Sequence, residues 1–208
     1  TNIGSVTVSG VNSIGLYGEN STTVTNAGTI TIGDQSIGIY GVSYQNPPST
    51  PLTYGAGTIN ITNSGTITAN AGTKAMGIYA NNNKSGGTIT DSNINLASGT
   101  IDVSASENGV GVYVNKGTVT DSNSIITVGK NGVALYAKDS DVTLSNSTIN
   151  LFGDNALGIY LDGATSLNGS ANIYINGQNV ILFNMDSSVT GSNNFNVANV
   201  TSGSSYTL

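Results

Sequence analysis

The sequence predicts an all-β fold: a right-handed parallel β-helix, or solenoid, with about 23 residues and three strands per coil. One observation is a phrase that keeps returning. Ile14-Gly15-Leu16-Tyr17, Ile37-Gly38-Ile39-Tyr40, Met76-Gly77-Ile78-Tyr79, Val110-Gly111-Val112-Tyr113, Val133-Ala134-Leu135-Tyr136 and Leu157-Gly158-Ile159-Tyr160 are six copies, and Val180-Ile181-Leu182-Phe183 reads as a decayed seventh. The aromatic positions are separated by 23, 39, 34, 23, 24 and 23 residues, so two gaps carry insertions. A fixed period of this size marks a repeat architecture. A second observation is composition: 37% apolar, 8% charged, and rich in Thr, Ser, Asn and Gly, which suits strands joined by tight turns and nearly excludes helix.

Each coil divides into three short alternating segments. In the first, Ser13-Ile14-Gly15-Leu16-Tyr17 is followed by Thr23-Val24-Thr25-Asn26 and then Gly28-Thr29-Ile30-Thr31-Ile32, with Ile14, Leu16, Val24, Ile30 and Ile32 on one face by period-two alternation. A single coil cannot bury that face, but coils stacked at the strand spacing of ~4.8 Å bury it against one another. A propeller blade would need ~40–45 residues. Right-handed crossovers are the default.

The third strand tracks the first. Ile30, Ile67, Ile101 and Ile149 sit in Thr-Ile phrases, and Ile173, in Ala171-Asn172-Ile173, sits in a looser copy. Asn26, Asn63, Asp121 and Asn146 end the second strand and are expected to stack at one corner as a hydrogen-bond ladder. Asp91 and Asp121 lie in similar Thr-Asp-Ser-Asn phrases. Gly4-Ser5-Val6-Thr7-Val8 matches a third strand, while Ser188-Val189-Thr190 and Phe195-Asn196-Val197 resemble second and third strands. Residues 1–208 are therefore expected to form one β-helix segment with partial coils at both ends, from which the native chain continues both ways.

The insertions lie within 41–56, which holds Pro47, Pro48 and Pro51, and within 81–98. Both follow the aromatic strand and should leave from the same corner on successive coils. Loops on a rigid scaffold are where binding residues concentrate. Tyr44, Asn46 and Tyr54 in the first, and Asn82 and Lys84 in the second, are the binding candidates, with Tyr17, Tyr40 and Tyr79 beside them. If Ile14 and Leu16 point inward, Gly15 and Tyr17 point outward, and seven aromatics run along the surface. That column reads as a structural ladder or as a contact stripe for a sugar or protein. A turn could also flip the tyrosines inward.

The residue inventory argues against several chemistries. The net charge is −6, with five Lys and no Arg, so phosphate neutralisation and nucleic-acid binding are not expected. There is no Cys and no His, which removes disulfides, thiolate metal sites and the usual base for a serine nucleophile. No cofactor or metal site and no catalytic residue is predicted. Asp139 and Asp141, two residues apart, and Asp91 with Asp121 are the carboxylates to weigh for a polysaccharide-cleaving enzyme, and they read better as turn residues. No apolar run reaches the ~20 residues of a membrane-spanning helix.

Gly-Ile-Tyr phrases alternating with Asn-x-Gly-Thr-Ile-Thr every two dozen residues resemble the passenger domains of large type V bacterial autotransporters, fusobacterial outer-membrane adhesins among them. The resemblance covers essentially the whole chain. It implies a non-enzymatic adhesin carried at the cell surface on a C-terminal outer-membrane barrel that lies outside this sequence. It also implies attachment to a host-cell glycan or protein receptor, or to the surface of a partner bacterium. The segment itself is expected to be monomeric and not to insert into the membrane. A stalk that presents an adhesive region elsewhere is the other reading.

Overall fold

The computed structural model describes residues 1–20, 22–43, 57–83 and 92–208. Among them the chain winds as a parallel β-helix without any α-helix. It enters on β1 (Ser5–Val8) and completes a first coil with β2 (Ile14–Glu19), β3 (Thr23–Asn26) and β4 (Thr29–Ile32). The second coil is β5 (Ile37–Ser43), β6 (Ile59–Asn63) and β7 (Thr66–Ala69). Short β8 (Gly72–Thr73) leads to β9 (Met76–Asn82), β10 (Ser92–Ala97) and β11 (Thr100–Val103). Short β12 (Ser106–Glu107) leads to β13 (Val110–Asn115), β14 (Thr118–Ser122) and β15 (Ile125–Val128). From there second and third strands fuse: β16 (Val133–Lys138) is followed by β17 (Asp141–Leu151), and β18 (Leu157–Asp162) by β19 (Ser166–Ile175). The last turns are β20 (Val180–Met185), β21 (Asn193–Val200) and β22 (Tyr206–Thr207).

Like stacks on like. The first face orders β2-β5-β9-β13-β16-β18-β20-β22, all parallel. The second and third faces form one 12-stranded sheet because β17 and β19 run through both. The core is a set of registered columns. Val6, Ile30, Ile67, Ile101, Ile126, Ile149, Ile173 and Val197 align on the third face. Val24, Ile61, Ile94, Val119, Val142 and Leu167 align on the second. Ile30, Ile61, Ile67, Ile94, Ile101 and Ile126 are at most 1% exposed, and full burial of such a side chain is worth ~1.5–3 kcal/mol. The third-strand column gains Ile126, which follows Ile125 and lacks the threonine that precedes Ile101 and Ile149 on either side.

Four expectations are corrected. The first concerns the first face, where the phrase has two consecutive inward residues. Ile39, Ile78, Leu135 and Ile159 are fully buried, and the preceding glycine also faces the core. A Cβ built on Gly38 would lie 2.6 Å from Ile67 Cγ2 and 2.6 Å from the Gly77 carbonyl oxygen. Gly15 therefore points inward, and it is Ile14, 41% exposed, that points out. The paired registers pass over the glycine position, as expected where strict alternation breaks.

The second correction is Phe183. It aligns with Ile159, and Asn184 aligns with Tyr160. The coil has slipped by one residue, so Phe183 packs against the core and meets Phe195 edge-on with ring centroids 5.0 Å apart.

The third and fourth concern the second-strand corner. Asn26 pairs with Asn63, but Asp121 lies between Leu96 and Leu144 in register. Asn146 is not in that column, and the similarity of the Asp91 and Asp121 phrases does not reflect structural equivalence, because Leu96 holds the matching place. In the first coils the ladder is internal. Asn2 Nδ2 donates to Asn26 Oδ1 at 2.8 Å, and Asn26 Nδ2 donates to Asn63 Oδ1 at 2.8 Å. From the third coil the corner is made differently, with Ser98, Asn123 and Asn146 at φ of 59°, 60° and 55°. Asn146 Nδ2 reaches Asn123 Oδ1 at 2.9 Å on the outside. Another corner repeats the left-handed device at Asn12, Gln35, Lys74, Asn108, Asn131, Asn155 and Asn179. This explains the Asn content, since Asn tolerates that backbone region better than most residues.

The Gly column is a packing constraint. At Gly111 a Cβ would stand 2.6 Å from Ile126 Cγ2 and 2.5 Å from the Ala134 carbonyl oxygen. Ala134 occupies the same column, so one methyl can be absorbed where the neighbouring coils adjust. Gly111→Val is expected to cost about 1–3 kcal/mol of unfolding free energy and Gly111→Ala distinctly less, as measured by urea denaturation.

Asp121 is the core's one buried carboxylate among the described residues, 1% exposed. Its Oδ1 accepts the Ser124 N–H at 3.1 Å, while Oδ2 and the neighbouring Ser124 and Ser147 hydroxyls have no partner among the described residues. Burial pushes the carboxyl above its ordinary pKa, opposed only in part by Ser124. The folded state then holds this proton more tightly than the unfolded chain does. Its contribution to stability therefore falls as pH rises through the window above the ordinary carboxylate value. Asp34 and Asp186, held low by backbone donors, act with the opposite sign, so the measurement is a difference. Asp121→Asn is expected to be more stable than the parent at neutral pH, and thermal melts should show that advantage shrinking on acidification.

Candidate functional site

Three surface features stand on this scaffold. The tyrosine stripe is the first. Tyr17, Tyr40, Tyr79, Tyr113, Tyr136 and Tyr160 are in register and project outward, Tyr17 51% exposed and the others half-buried. Tyr17 to Tyr113 stack with centroids 5.6, 5.0 and 4.8 Å apart and planes within 18°. Tyr113–Tyr136 and Tyr136–Tyr160 are edge-on, at 74° and 87°. The rings of the stacked section turn their faces to one another and their edges and hydroxyls to solvent. A pyranose that binds by stacking needs an open aromatic face, so this geometry favours the structural ladder over a stacking platform for sugars.

Beside the ring column runs an outward apolar column of Ile14, Ile37, Met76, Val110, Val133, Leu157 and Ile181. On the other side lies a polar column. There Asn115 Nδ2 donates to Asn81 Oδ1 at 2.8 Å, and Lys138 Nζ meets Asp162 Oδ2 at 2.9 Å. The Tyr17 hydroxyl donates to the Glu19 carboxylate.

The second feature is the insertion corner. Strands β5 and β9 pair to their ends, with Ser43 opposite Asn82. The described strands therefore break off before 44–56 and 84–91 at adjacent points on successive coils. Tyr44, Asn46, Tyr54 and Lys84 lie outside the described residues. Asn82 does not face solvent. It is 2% exposed, and its Nδ2 donates to the Lys116 carbonyl at 3.3 Å. Its amide therefore serves the inside of the corner.

The third feature was not legible in the sequence. On the outer second face, the strands that follow the two insertions, β6 and β10, lie beside β14. Their outward side chains make a groove of about 380 Å³, lined among the described residues by Asn60, Thr62, Asn93, Asn95, Thr118 and Thr120, with the backbone of Ile61 and Ile94 between them. Thr and Asn occupy outward positions in every coil, so alternation alone marks none of them out. The one available signal was position, immediately after the insertions.

The carboxylates are structural in their contacts. Asp139 Oδ1 accepts the Ala164 N–H at 3.1 Å, and Asp141 Oδ1 accepts the Ser166 hydroxyl. Each ties its own coil to the next. Among the described residues no cluster of three or more acidic side chains could hold a metal ion, and no helix is long and apolar enough to cross a membrane. Compared with protein-family models, curated proteins and solved structures, the chain finds no match.

Burial pushes the Tyr113 phenol above its ordinary pKa, reinforced by Tyr79 and Tyr136 and opposed by Lys138. Tyr136 is raised by burial and by Tyr160. An unfolded tyrosine loses its proton first, so the ladder's contribution is intact below the ordinary phenol pKa and is lost as pH rises above it. Ultraviolet titration should resolve late-ionising tyrosines, and Tyr113→Phe should remove one of them.

Proposed function

We propose that this chain is a segment of a bacterial cell-surface adhesion rod, a passenger-type β-helix that carries its contact residues on the insertion corner. The observation that supports this reading most directly is the pairing of Ser43 with Asn82. It sets the strand ends from which two non-repeating segments depart next to one another at one edge of an otherwise repeating scaffold. A repeat needs no such segments for its own stability, and rigid scaffolds with local loops are how recognition sites are built. The carboxylates already engaged between coils favour binding over catalysis. The rod would lie outside the cell, attached through parts of the native protein beyond this sequence.

Residues Tyr44, Asn46, Tyr54 and Lys84 are proposed to meet the partner, with Tyr40 and Tyr79 framing them as a rigid wall. The second reading is a stalk, and the unbroken registered columns from β1 to β21 favour it. The two separate in one experiment. The whole chain, and a version with 44–56 replaced by a short Gly-Ser linker, are tested for attachment to host-cell and partner-bacterium surfaces. At least a fivefold loss on replacement is expected. Equal attachment by both versions would discard the corner, and no attachment by either would leave the stalk.

A further inference from the structure

On the second face the outward Thr and Asn side chains common to every coil enclose a groove. We propose that it is a binding site for a neutral, hydroxyl-rich oligosaccharide, lying across β6, β10 and β14. This rests on the adhesion reading for its biological sense, but it concerns a different face of the rod from the tyrosine stripe and is argued from strand residues alone.

The lining is a grid. Asn60, Asn93 and Thr118 form one registered column, and Thr62, Asn95 and Thr120 form the other. Successive rows are one strand spacing apart, ~4.8 Å, and the columns two residues apart along the strand, ~6.6 Å. The first column is wired. The Thr118 hydroxyl donates to Asn93 Oδ1 at 2.7 Å, and Asn93 Nδ2 donates to Asn60 Oδ1 at 3.1 Å. This direction of donation fixes the amides and leaves the Asn60 Nδ2 hydrogens and the Thr118 oxygen lone pairs for a ligand. The second column makes no side-chain hydrogen bond with another described residue, and Asn95 and Thr120 are exposed. Three fixed polar groups therefore stand opposite three open ones, over the backbone of Ile61 and Ile94, whose side chains point into the core.

The chemistry of the lining selects the ligand. All six described polar groups are neutral amides or hydroxyls, and among the described residues no charge in the lining meets a phosphate, sulfate or carboxylate. Protein partners are held chiefly by aromatic, Met and Arg anchors, and the described lining has none. Amides and hydroxyls that both donate and accept match vicinal sugar hydroxyls, which do the same. The volume of about 380 Å³ is at the small end of ligand sites, which suits a few sugar rings. An open site of this kind binds weakly on its own, and affinity on a cell surface would come from many copies acting together.

The test uses the whole chain with short neutral hexose and N-acetylhexosamine oligomers, beside uronic-acid and sialylated oligomers, read by saturation-transfer NMR. Neutral oligomers are expected to bind. The double variant Asn95→Ala/Thr120→Val changes only exposed, unbonded groups, so it should fold as the parent does yet lose at least tenfold in affinity. Thr31→Val, on the outer third face, should leave binding unchanged. Preference for the acidic oligomers, no binding of neutral ones, or parent-like affinity in the double variant would overturn the proposal. Cell attachment that survives the double variant and ignores added sugars would sink the groove and spare the adhesion reading. Sugar binding without cell attachment would do the reverse.

Discussion

Everything in this structure depends on parallel backbone hydrogen bonding between consecutive coils. Each strand donates to its equivalent in the next turn, so every side chain has a counterpart ~4.8 Å above and below. The Thr29 N–H bonds the Gly4 carbonyl, the Thr66 N–H that of Gly28, and the Thr100 N–H that of Gly65. This register turns single-residue preferences into columns. Isoleucine stacks on isoleucine, tyrosine on tyrosine, asparagine on asparagine. An apolar column is buried from both sides, and a polar residue inside must find its bonds along the same axis, as Asn2, Asn26 and Asn63 do. A residue out of keeping with its column is conspicuous, which is why Asp121 between Leu96 and Leu144 is left with an unpaired oxygen.

The fold was legible because register repeats errors as faithfully as successes. The Thr-Ile phrases and their looser copy located Ile30, Ile67, Ile101, Ile149 and Ile173 in one column, and the structure keeps them there. Strict alternation failed at the first face, because two neighbouring residues both turn inward and only a residue without a side chain fits the first place. Equal spacing failed at Phe183, where one residue of slack moves the ring onto the Ile159 column. Phrase similarity failed at Asp91, because Thr-Asp-Ser-Asn is common turn chemistry and carries no register. The groove at Asn60, Asn93 and Thr118 was hidden for another reason. Its residue types are those of every outward strand position, and only their neighbourhood distinguishes them.

The second-strand corner shows two solutions to one problem within a single rod. In the early coils a buried amide fills the bend and bonds to its copies. Later coils put a left-handed residue at the bend, and Leu96 and Leu144 fill the space beneath on either side of Asp121. A column of hydrogen-bonded amides needs an amide on both sides. The two solutions meet between Asn63 and Leu96, and there Asn63 Nδ2 ends without a partner among the described residues. The insertion 84–91 enters in the same turn, just before β10, so the change of corner and the irregular segment coincide along the axis.

The axial direction of the hydrogen bonds has a mechanical consequence. Tension applied end to end pulls every interstrand bond between two coils open at once, so the joint resists as a unit. A sideways pull on a segment leaving Ser43 or Asn83 would instead peel the edge of one strand and break its bonds in turn, at far lower force. A rod built this way withstands shear flow along its length and yields first where something grips its flank.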